Sequence, residues 1–174
     1  MDTAAKAGTA FVFMGHGTSH TANVTYSQMQ TQMDTLGYQN VFIGTVEGKP
    51  ADTACEAVIE KVKEAGYKKV ILRPLMVVAG DHANNDMAGD DEDSWKSMFN
   101  ASGYFDSIDT QIAGLGGIAD VQKIYVAHTE AAISDSGIKV SDNGIAVNSL
   151  ADGKYDADFN TDNSMFHVNE ANEG

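Results

Sequence analysis

Cysteine, lysine and arginine are scarce in this 174-residue chain, and each shortage excludes a class of function. A single cysteine, Cys55, rules out an internal disulfide and a cysteine-based zinc site. Lys and Arg number 11 against 25 Asp and Glu, so the formal net charge is −14, which argues against nucleic acid as a partner. No apolar run approaches the roughly 20 residues that span a bilayer, and no hydrophobic signal core is visible. We expect a cytoplasmic protein, although a mature exported chain would have the same features.

Apolar strands and amphipathic helices alternate four times through the first part of the chain. The pattern predicts strands at 10–14, 41–43, 70–78 and 108–112, each followed by a helix, at 23–36, from a cap at Asp52 or Thr53 to Gly66, at 86–101 and at 118–133. Such alternation is typical of a parallel, helix-covered sheet. The sequence therefore predicts an α/β fold built on a four-stranded parallel sheet flanked by helices.

The composition changes after about residue 134. Residues 135–174 are rich in Gly, Asn and Asp, with short alternating apolar runs and hairpin-type turns such as Asp142-Asn143-Gly144. We therefore expect two parts: an α/β lobe at 1–134 and a short β-rich C-terminal segment at 135–174. The second part is either a partly ordered tail or a truncated second module.

Three loops that follow predicted strands carry the candidate chemistry. Right-handed crossovers place all strand-to-helix loops along one edge of a parallel sheet. His16, Glu47 and His82 lie in three such loops and are therefore expected at one edge. Two imidazoles and a carboxylate suit a borderline divalent ion and leave coordination positions open. Their scattered spacing makes this motif weak by itself, because histidines in an α/β domain commonly bind no metal.

The sequences of these loops resemble a known family. The segments GHGTSHTAN, FIGTVEGKP and PLMVVAGDHANNDMAGDDEDSWK are similar to the signature loops of the class II sirohydrochlorin cobaltochelatases, the anaerobic cobaltochelatases of cobalamin synthesis. The similarity covers residues 9–133 and ends in a segment like the family's closing helix. The family has a ferrochelatase-like fold, so the resemblance implies the same fold class as the strand pattern.

The resemblance also implies an activity: insertion of Co²⁺ into sirohydrochlorin, without ATP or another nucleotide. Fe²⁺, Ni²⁺ and Zn²⁺ remain alternatives, since His and Glu serve all four ions. His16, Glu47 and His82 match the family's metal-binding and proton-accepting positions, with His16 and His82 as the catalytic pair. The loops that carry them are expected to line the tetrapyrrole cleft.

Four further residues of these loops are candidates for contact with the macrocycle. Gly15 and Gly17 flank His16 and allow a flat ligand to approach the backbone closely. Asp81 precedes His82. His20 either contacts a macrocycle carboxylate or is a plain surface residue. His128, on a predicted helix face, is expected to pack rather than to bind metal.

The chain departs from the family in two respects, of which one is the β-rich C-terminal segment, which is not part of the family's ordinary pattern. Family members usually have two α/β lobes with the substrate cleft between them, whereas this chain has only the C-terminal-type lobe. We therefore expect a homodimer, pairing with an N-terminal-type lobe, or a fragment of a longer protein. The alternative function is that of a metal- or tetrapyrrole-binding carrier on the same fold, or an incomplete chelatase.

Overall fold

Four parallel strands form the centre of the first part of the structure. This structure, a computed structural model, describes residues 8–134, 138–141 and 144–147. The strands are β1 (Thr9–Gly15), β2 (Val41–Thr45), β3 (Lys69–Pro74) and β4 (Ser107–Thr110), in the order β2-β1-β3-β4. Every neighbouring pair is parallel, with Val12 beside both Phe42 and Leu72. The predicted α/β class and four-stranded parallel sheet are confirmed.

Helices connect the strands as the alternation predicts. They are α1 (Val24–Thr35), α2 (Cys55–Glu64), α3 (Trp95–Ala101) and α4 (Ala119–Ser134). Short 3-10 turns occur at Thr21–Asn23, Ala51–Thr53 and Leu115–Gly117, and a π-helical turn at Ala83–Met87. Within the residues described, no helix is long and apolar enough to cross a membrane.

One face of the sheet packs against α2 and α3. The sheet contributes alternate residues of β1 and β3, which point to one face because the side-chain period of a strand is two. This core consists mainly of Ala10, Val12, Met14, Val70 and Leu72 from the sheet, with Val58, Val62, Trp95 and Phe99 from the helices. All nine side chains are at most 3% exposed. The apolar face of α2 and the side chains of Trp95 and Phe99 thus cover this face of the sheet.

The helix α1 packs along the edge strand β2 and satisfies part of its backbone. The Gln30 amide nitrogen donates to the Val41 carbonyl at 2.9 Å, and its amide oxygen accepts from the Ile43 N–H at 2.9 Å. An edge strand otherwise presents unpaired backbone groups. The Gln30 side chain therefore pairs two backbone groups of β2 and holds α1 beside this strand.

The third strand and the third helix differ from their predicted bounds. The strand was expected to reach residue 78 but ends at Pro74, which has no N–H to donate to the ladder, although the Leu75 N–H still donates to the Met14 carbonyl at 2.7 Å. Val77 and Val78 are 48% and 73% exposed, and so are not part of a buried strand. The continuous helix predicted at 86–101 is also wrong. The π-turn ends at Met87, and α3 begins only after Ser94, whose hydroxyl accepts from the Ser97 N–H at 3.2 Å.

The chain divides into two compact units, one ending at Val121 and the other beginning at Gln122. The second unit contains most of α4 and an antiparallel hairpin, β5 (Ile138–Ser141) paired with β6 (Gly144–Val147). The β-rich character predicted for the C-terminal segment is present in this hairpin. The short apolar runs expected in this segment include 155–159 and 165–168, and both lie outside the described residues. The domain boundary after residue 134 stays a prediction.

Candidate functional site

The candidate site lies where β1 and β3 end side by side. β1 lies between β2 and β3. From β1 the chain adds β2 on one side, and it then adds β3 and β4 on the other side, so the order of the strands reverses between β1 and β3. Open α/β sheets bind ligands outside the carboxyl ends of the strands at such a switch point. His16 follows β1 directly, and His82 follows β3 through the 75–81 loop. The fold therefore brings these two loops to the same edge.

The two imidazoles are in contact. Their ring centroids lie 4.8 Å apart with an interplanar angle of 76°, an edge-to-face arrangement. His16 is exposed and the His82 side chain is 37% exposed, so the pair lies open to a ligand. Residues 66 positions apart in the chain, 82 minus 16, thus form one surface feature. The predicted juxtaposition of His16 and His82 is present in the structure.

Each imidazole uses its Nδ1 atom in a short hydrogen bond. The His16 Nδ1 lies 2.9 Å from the Gly17 carbonyl oxygen. Because a carbonyl only accepts, Nδ1 of His16 carries the proton, and Nε2 of the neutral ring keeps its lone pair. The His82 Nδ1 lies 2.6 Å from Oδ2 of Asp86, four residues further along the π-turn.

The loop that carries His16 is fixed by the end of β2. The N–H groups of Val46 and Glu47 donate to the carbonyls of Gly15 and His16, each at 2.9 Å, so the loops continue the sheet past its last strand residues. Gly17 has φ +92°, a conformation that favours glycine, and a Cβ there would lie 2.8 Å from the Glu47 Cβ. Glycine at 17 is therefore required by both the backbone and the space available.

Tyr26 on α1 supports the same loop from the other side. Its hydroxyl accepts from the Gly17 N–H at 2.9 Å, and its ring lies against Gly15, where an added Cβ would come within 2.6 Å of Cε1. Gly15 and Gly17 thus admit the tyrosine and the 45–47 loop. Whether they also admit the edge of a macrocycle, as predicted, stays a prediction.

Glu47 is held near the histidines by its backbone, and its exposed side chain lines a cavity of about 600 Å³. The acidic residues around this cavity are Glu47, Glu56, Asp86, Glu92 and Asp93. Across the described residues, no three His, Cys, Asp or Glu side chains lie close enough together to hold a metal ion. The structure thus shows the two imidazoles in contact, and the place of Glu47 in a ligand set stays a prediction.

His20 and Asp81 have local partners. The His20 Nδ1 accepts from the Ala22 N–H at 3.0 Å and so caps the 3-10 turn that leads into α1. Asp81 accepts from the side-chain amide of Asn85 at 2.6 Å and is exposed beside His82. Both residues lie in the loops of the site, and their contact with substrate stays a prediction. His128 is exposed on α4, so the expectation that it packs is wrong.

Cys55 contributes to the wall of the cavity but is not a reactive group. Its side chain is buried, and burial, followed by the charge of Glu56, raises the pKa of the thiol well above its usual range. A thiol that stays protonated at neutral pH is a poor nucleophile and a poor metal ligand. Cys55 is therefore a small core residue, as its apolar neighbours in the sequence predict.

Two residues that support the site, Asp86 and Tyr26, are not among the site residues predicted from the sequence. Asp86 accepts a hydrogen bond from the His82 Nδ1, a contact that was not predicted. The spacing of His82 and Asp86 could have indicated this contact, since residues four apart lie on one face of a helix. For Tyr26, the sequence predicts only a place in the helix expected at 23–36. Its hydroxyl contact with Gly17 depends on the path of the 15–17 loop, which periodicity does not specify.

The fold and this pair of imidazoles define a class: a parallel α/β lobe whose carboxyl edge presents nitrogen donors suited to borderline divalent metal ions. The chain belongs to the cobalt chelatase (CbiK) family, whose model matches residues 1–134. The predicted family is thereby confirmed.

Two curated relatives that are similar to this chain in sequence are both named sirohydrochlorin cobaltochelatase. The chain is 40% identical over 123 residues to the sirohydrochlorin cobaltochelatase of Salmonella typhimurium. It is 36% identical over 132 residues to the sirohydrochlorin cobaltochelatase CbiKC of Nitratidesulfovibrio vulgaris. These matches cover 71% and 74% of this chain but only 44% of each relative. The chain therefore spans less than half the length of these relatives.

A solved structure has the same fold. The putative cobalamin biosynthesis CbiX protein of Marinobacter aquaeolei matches with a TM-score of 0.56 at 15% identity. The match covers 74% of this chain and 99% of that one, so this fold accounts for nearly the whole of a solved chain. At this identity the likeness concerns the fold alone.

Proposed function

We propose that this chain is one lobe of a sirohydrochlorin cobaltochelatase, which inserts Co²⁺ into sirohydrochlorin during cobalamin biosynthesis. Membership of the cobalt chelatase family supports the proposal, as do the names of the two relatives. Co²⁺ is then a substrate rather than a resident cofactor. Independence from nucleotide, the preference for Co²⁺ over Fe²⁺, Ni²⁺ or Zn²⁺, and a cytoplasmic location stay predictions.

The observation that carries the proposal is the contact between His16 and His82 at the carboxyl edge of the sheet. Insertion of a divalent ion breaks two pyrrole N–H bonds, forms metal–nitrogen bonds and releases two protons. The site therefore needs bases near the ring and ligands that bind the ion and release it. Neutral imidazole can do both near pH 7. We assign these roles to His16 and His82.

The other residues are assigned supporting roles. Glu47 offsets the charge of the ion before transfer, because its carboxylate is exposed and its backbone is bonded to His16. Gly15 and Gly17 keep the loop that carries His16 close to Tyr26 and to the 45–47 loop. His20 and Asp81 are proposed to border the macrocycle, since both are exposed in the loops that carry the histidines.

A second lobe is part of the proposal. This chain spans 44% of the length of each relative, and its paired histidines lie on an exposed edge rather than in an enclosed cleft. A flat tetrapyrrole in this site would have one side uncovered by the 8–121 part of the structure. We propose that a second copy of this chain or an N-terminal-type lobe covers it. Sedimentation of the purified chain, with and without sirohydrochlorin, tests for the dimer.

The activity is tested by anaerobic absorbance spectroscopy. The purified chain is mixed with sirohydrochlorin and Co²⁺, and the spectrum of the metallated product is followed against the uncatalysed reaction. His16→Ala and His82→Ala should each abolish the enzymatic rate. His128→Ala is the matched control, because it removes an exposed imidazole from α4 and should leave the rate unchanged.

The outcomes separate the competing functions. Turnover that is lost in both site variants supports the chelatase. Binding of Co²⁺ or sirohydrochlorin without turnover, even when an N-terminal-type lobe is added, would favour the carrier function instead. Turnover that survives both substitutions would overturn the assignment of the histidines.

A further inference from the structure

The π-turn at Ala83–Met87 brings the carboxylate of Asp86 within hydrogen-bond distance of His82. The mechanism proposed above does not use this carboxylate. Asp86 lies four residues after His82, and its Oδ2 is 2.6 Å from the His82 Nδ1. The π-turn has its own determinants: Asn84 donates to the Gly80 carbonyl at 2.7 Å, and Asn85 donates to Asp81 at 2.6 Å. These side-chain bonds fix the turn independently of His82.

We propose that Asp86 is a positioning residue, which holds the neutral His82 ring with its proton on Nδ1 and its lone pair on Nε2. An ionised carboxylate only accepts hydrogen bonds, so the nitrogen that faces it must carry the proton. The remaining nitrogen, Nε2, is then the one that can bind a metal ion or accept a pyrrole proton. This inference rests on the proposed function for its catalytic meaning, but the tautomer can be measured without any activity.

The same tautomer is imposed on His16 by a different group. Its Nδ1 donates to the Gly17 carbonyl, so its Nε2 also keeps the lone pair. Both rings therefore keep the lone pair on the same nitrogen, and their centroids lie 4.8 Å apart. A backbone carbonyl fixes one ring and a side chain fixes the other. Only the second arrangement can be changed by substitution, which makes Asp86 the informative position.

Partners of this kind are a general feature of histidines that bind metal. The second ring nitrogen usually donates to a carboxylate or a carbonyl, which sets the tautomer and the ring orientation. Loss of such a partner typically lowers metal affinity or activity about 10- to 100-fold. In this chain, Gly17 and Asp86 supply one partner of each kind.

The direct test is ¹⁵N NMR of the histidine side chains in the full chain without metal, at a pH of about 9 where neutral imidazole predominates. Wild-type His82, assigned by its absence in His82→Ala, should show the pattern of a protonated Nδ1 and an unprotonated Nε2. A protonated Nε2 in the wild type would overturn the proposal without any variant. The result does not depend on whether Asp86 variants fold.

Asp86→Asn provides the matched perturbation, because its amide is nearly the same shape but can donate to Nδ1 and stabilise the opposite tautomer. The Nε2–H population of His82 should rise, while the His16 pattern stays unchanged. Asp91→Asn is the control: it removes an equal charge from an exposed position without touching His82. An unaltered His82 tautomer in a folded Asp86→Asn variant would also refute the proposal.

Co²⁺ binding and turnover then connect the tautomer to function. Asp86→Asn should lower the affinity for Co²⁺, measured by the visible absorption of the ion, about 10- to 100-fold, with Asp91→Asn near the wild type. In the chelatase assay the loss should fall on kcat rather than on KM for sirohydrochlorin. If the tautomer inverts but neither wild type nor variant metallates sirohydrochlorin, the positioning role stands and the proposed function fails. If Co²⁺ affinity is unchanged despite an inverted tautomer, Asp86 does not position a metal ligand.

Discussion

Replacing Gly17 by alanine tests whether the backbone of the 15–17 loop fixes the position of His16. Gly17 has φ +92°, so an alanine there is strained by about 1–2 kcal/mol. Its Cβ would also lie 2.8 Å from the Glu47 Cβ and 3.0 Å from the Thr45 Cβ. Thr45 is fully buried and its hydroxyl is hydrogen-bonded to that of Thr53 at 2.6 Å, so it cannot move aside easily.

Overpacking of this kind adds about 1–3 kcal/mol, which gives a total loss of about 2–5 kcal/mol in the free energy of unfolding. Urea unfolding, followed by the fluorescence of the single tryptophan, Trp95, measures it. Gly66→Ala is the matched control: Gly66 has φ +82° but no atom within 4 Å of an added Cβ. The free energy of unfolding of Gly66→Ala should fall only by the cost of backbone strain, about 1–2 kcal/mol. Equal losses in the two variants would refute the steric argument.

Three further predictions concern the support and the core of the lobe. Tyr26→Phe removes the acceptor of the Gly17 N–H and should cost about 1 kcal/mol in urea unfolding, with a change in the His16 ¹⁵N signals; unchanged signals would contradict the anchoring role. Burial raises the pKa of the Cys55 thiol, so the native state holds this proton more tightly than the unfolded state. Stability should therefore fall as pH rises above about 8.5, by at most about 1.4 kcal/mol per pH unit, relative to Cys55→Ala; parallel pH profiles would contradict this. Phe99→Ala empties a fully buried position and should cost about 3–5 kcal/mol, measured in urea, whereas a loss below 1 kcal/mol would mean that the core there is loosely packed.

The architecture could be predicted from the sequence because two simple rules determine it. Alternation of strand and helix gives a parallel sheet, and right-handed crossovers bring the loops after the strands to one edge. His16 and His82 could therefore be placed together without any knowledge of side-chain packing. Their contact in the structure follows from the pairing of β1 with β3.

The 75–94 segment could not be predicted in the same way. Its apolar residues suggested a longer strand, although the regular strand ends at Pro74, a residue without an N–H. Its polar residues offered several helix caps, and the sequence does not rank them. In the structure Ser94 caps α3, while the side chains of Asn84 and Asn85 stabilise the π-turn. Competition among local hydrogen bonds, which depends on the path of the loop, determines the outcome.

Different groups hold the His16 and His82 rings in position, and this difference can be tested with a double variant. His16 is fixed by backbone bonds and by the space at Gly17, whereas His82 is fixed by the side chain of Asp86. The two supports share no hydrogen bond among those in the described residues.

The stability losses of Gly17→Ala and Asp86→Asn should therefore add to within about 0.5 kcal/mol in the double variant. Their effects on Co²⁺ affinity should not add, because either substitution alone leaves the ion a single well-presented imidazole. Additive losses in affinity would mean that the two rings bind independently, and the contact between them would then have no part in holding the ion.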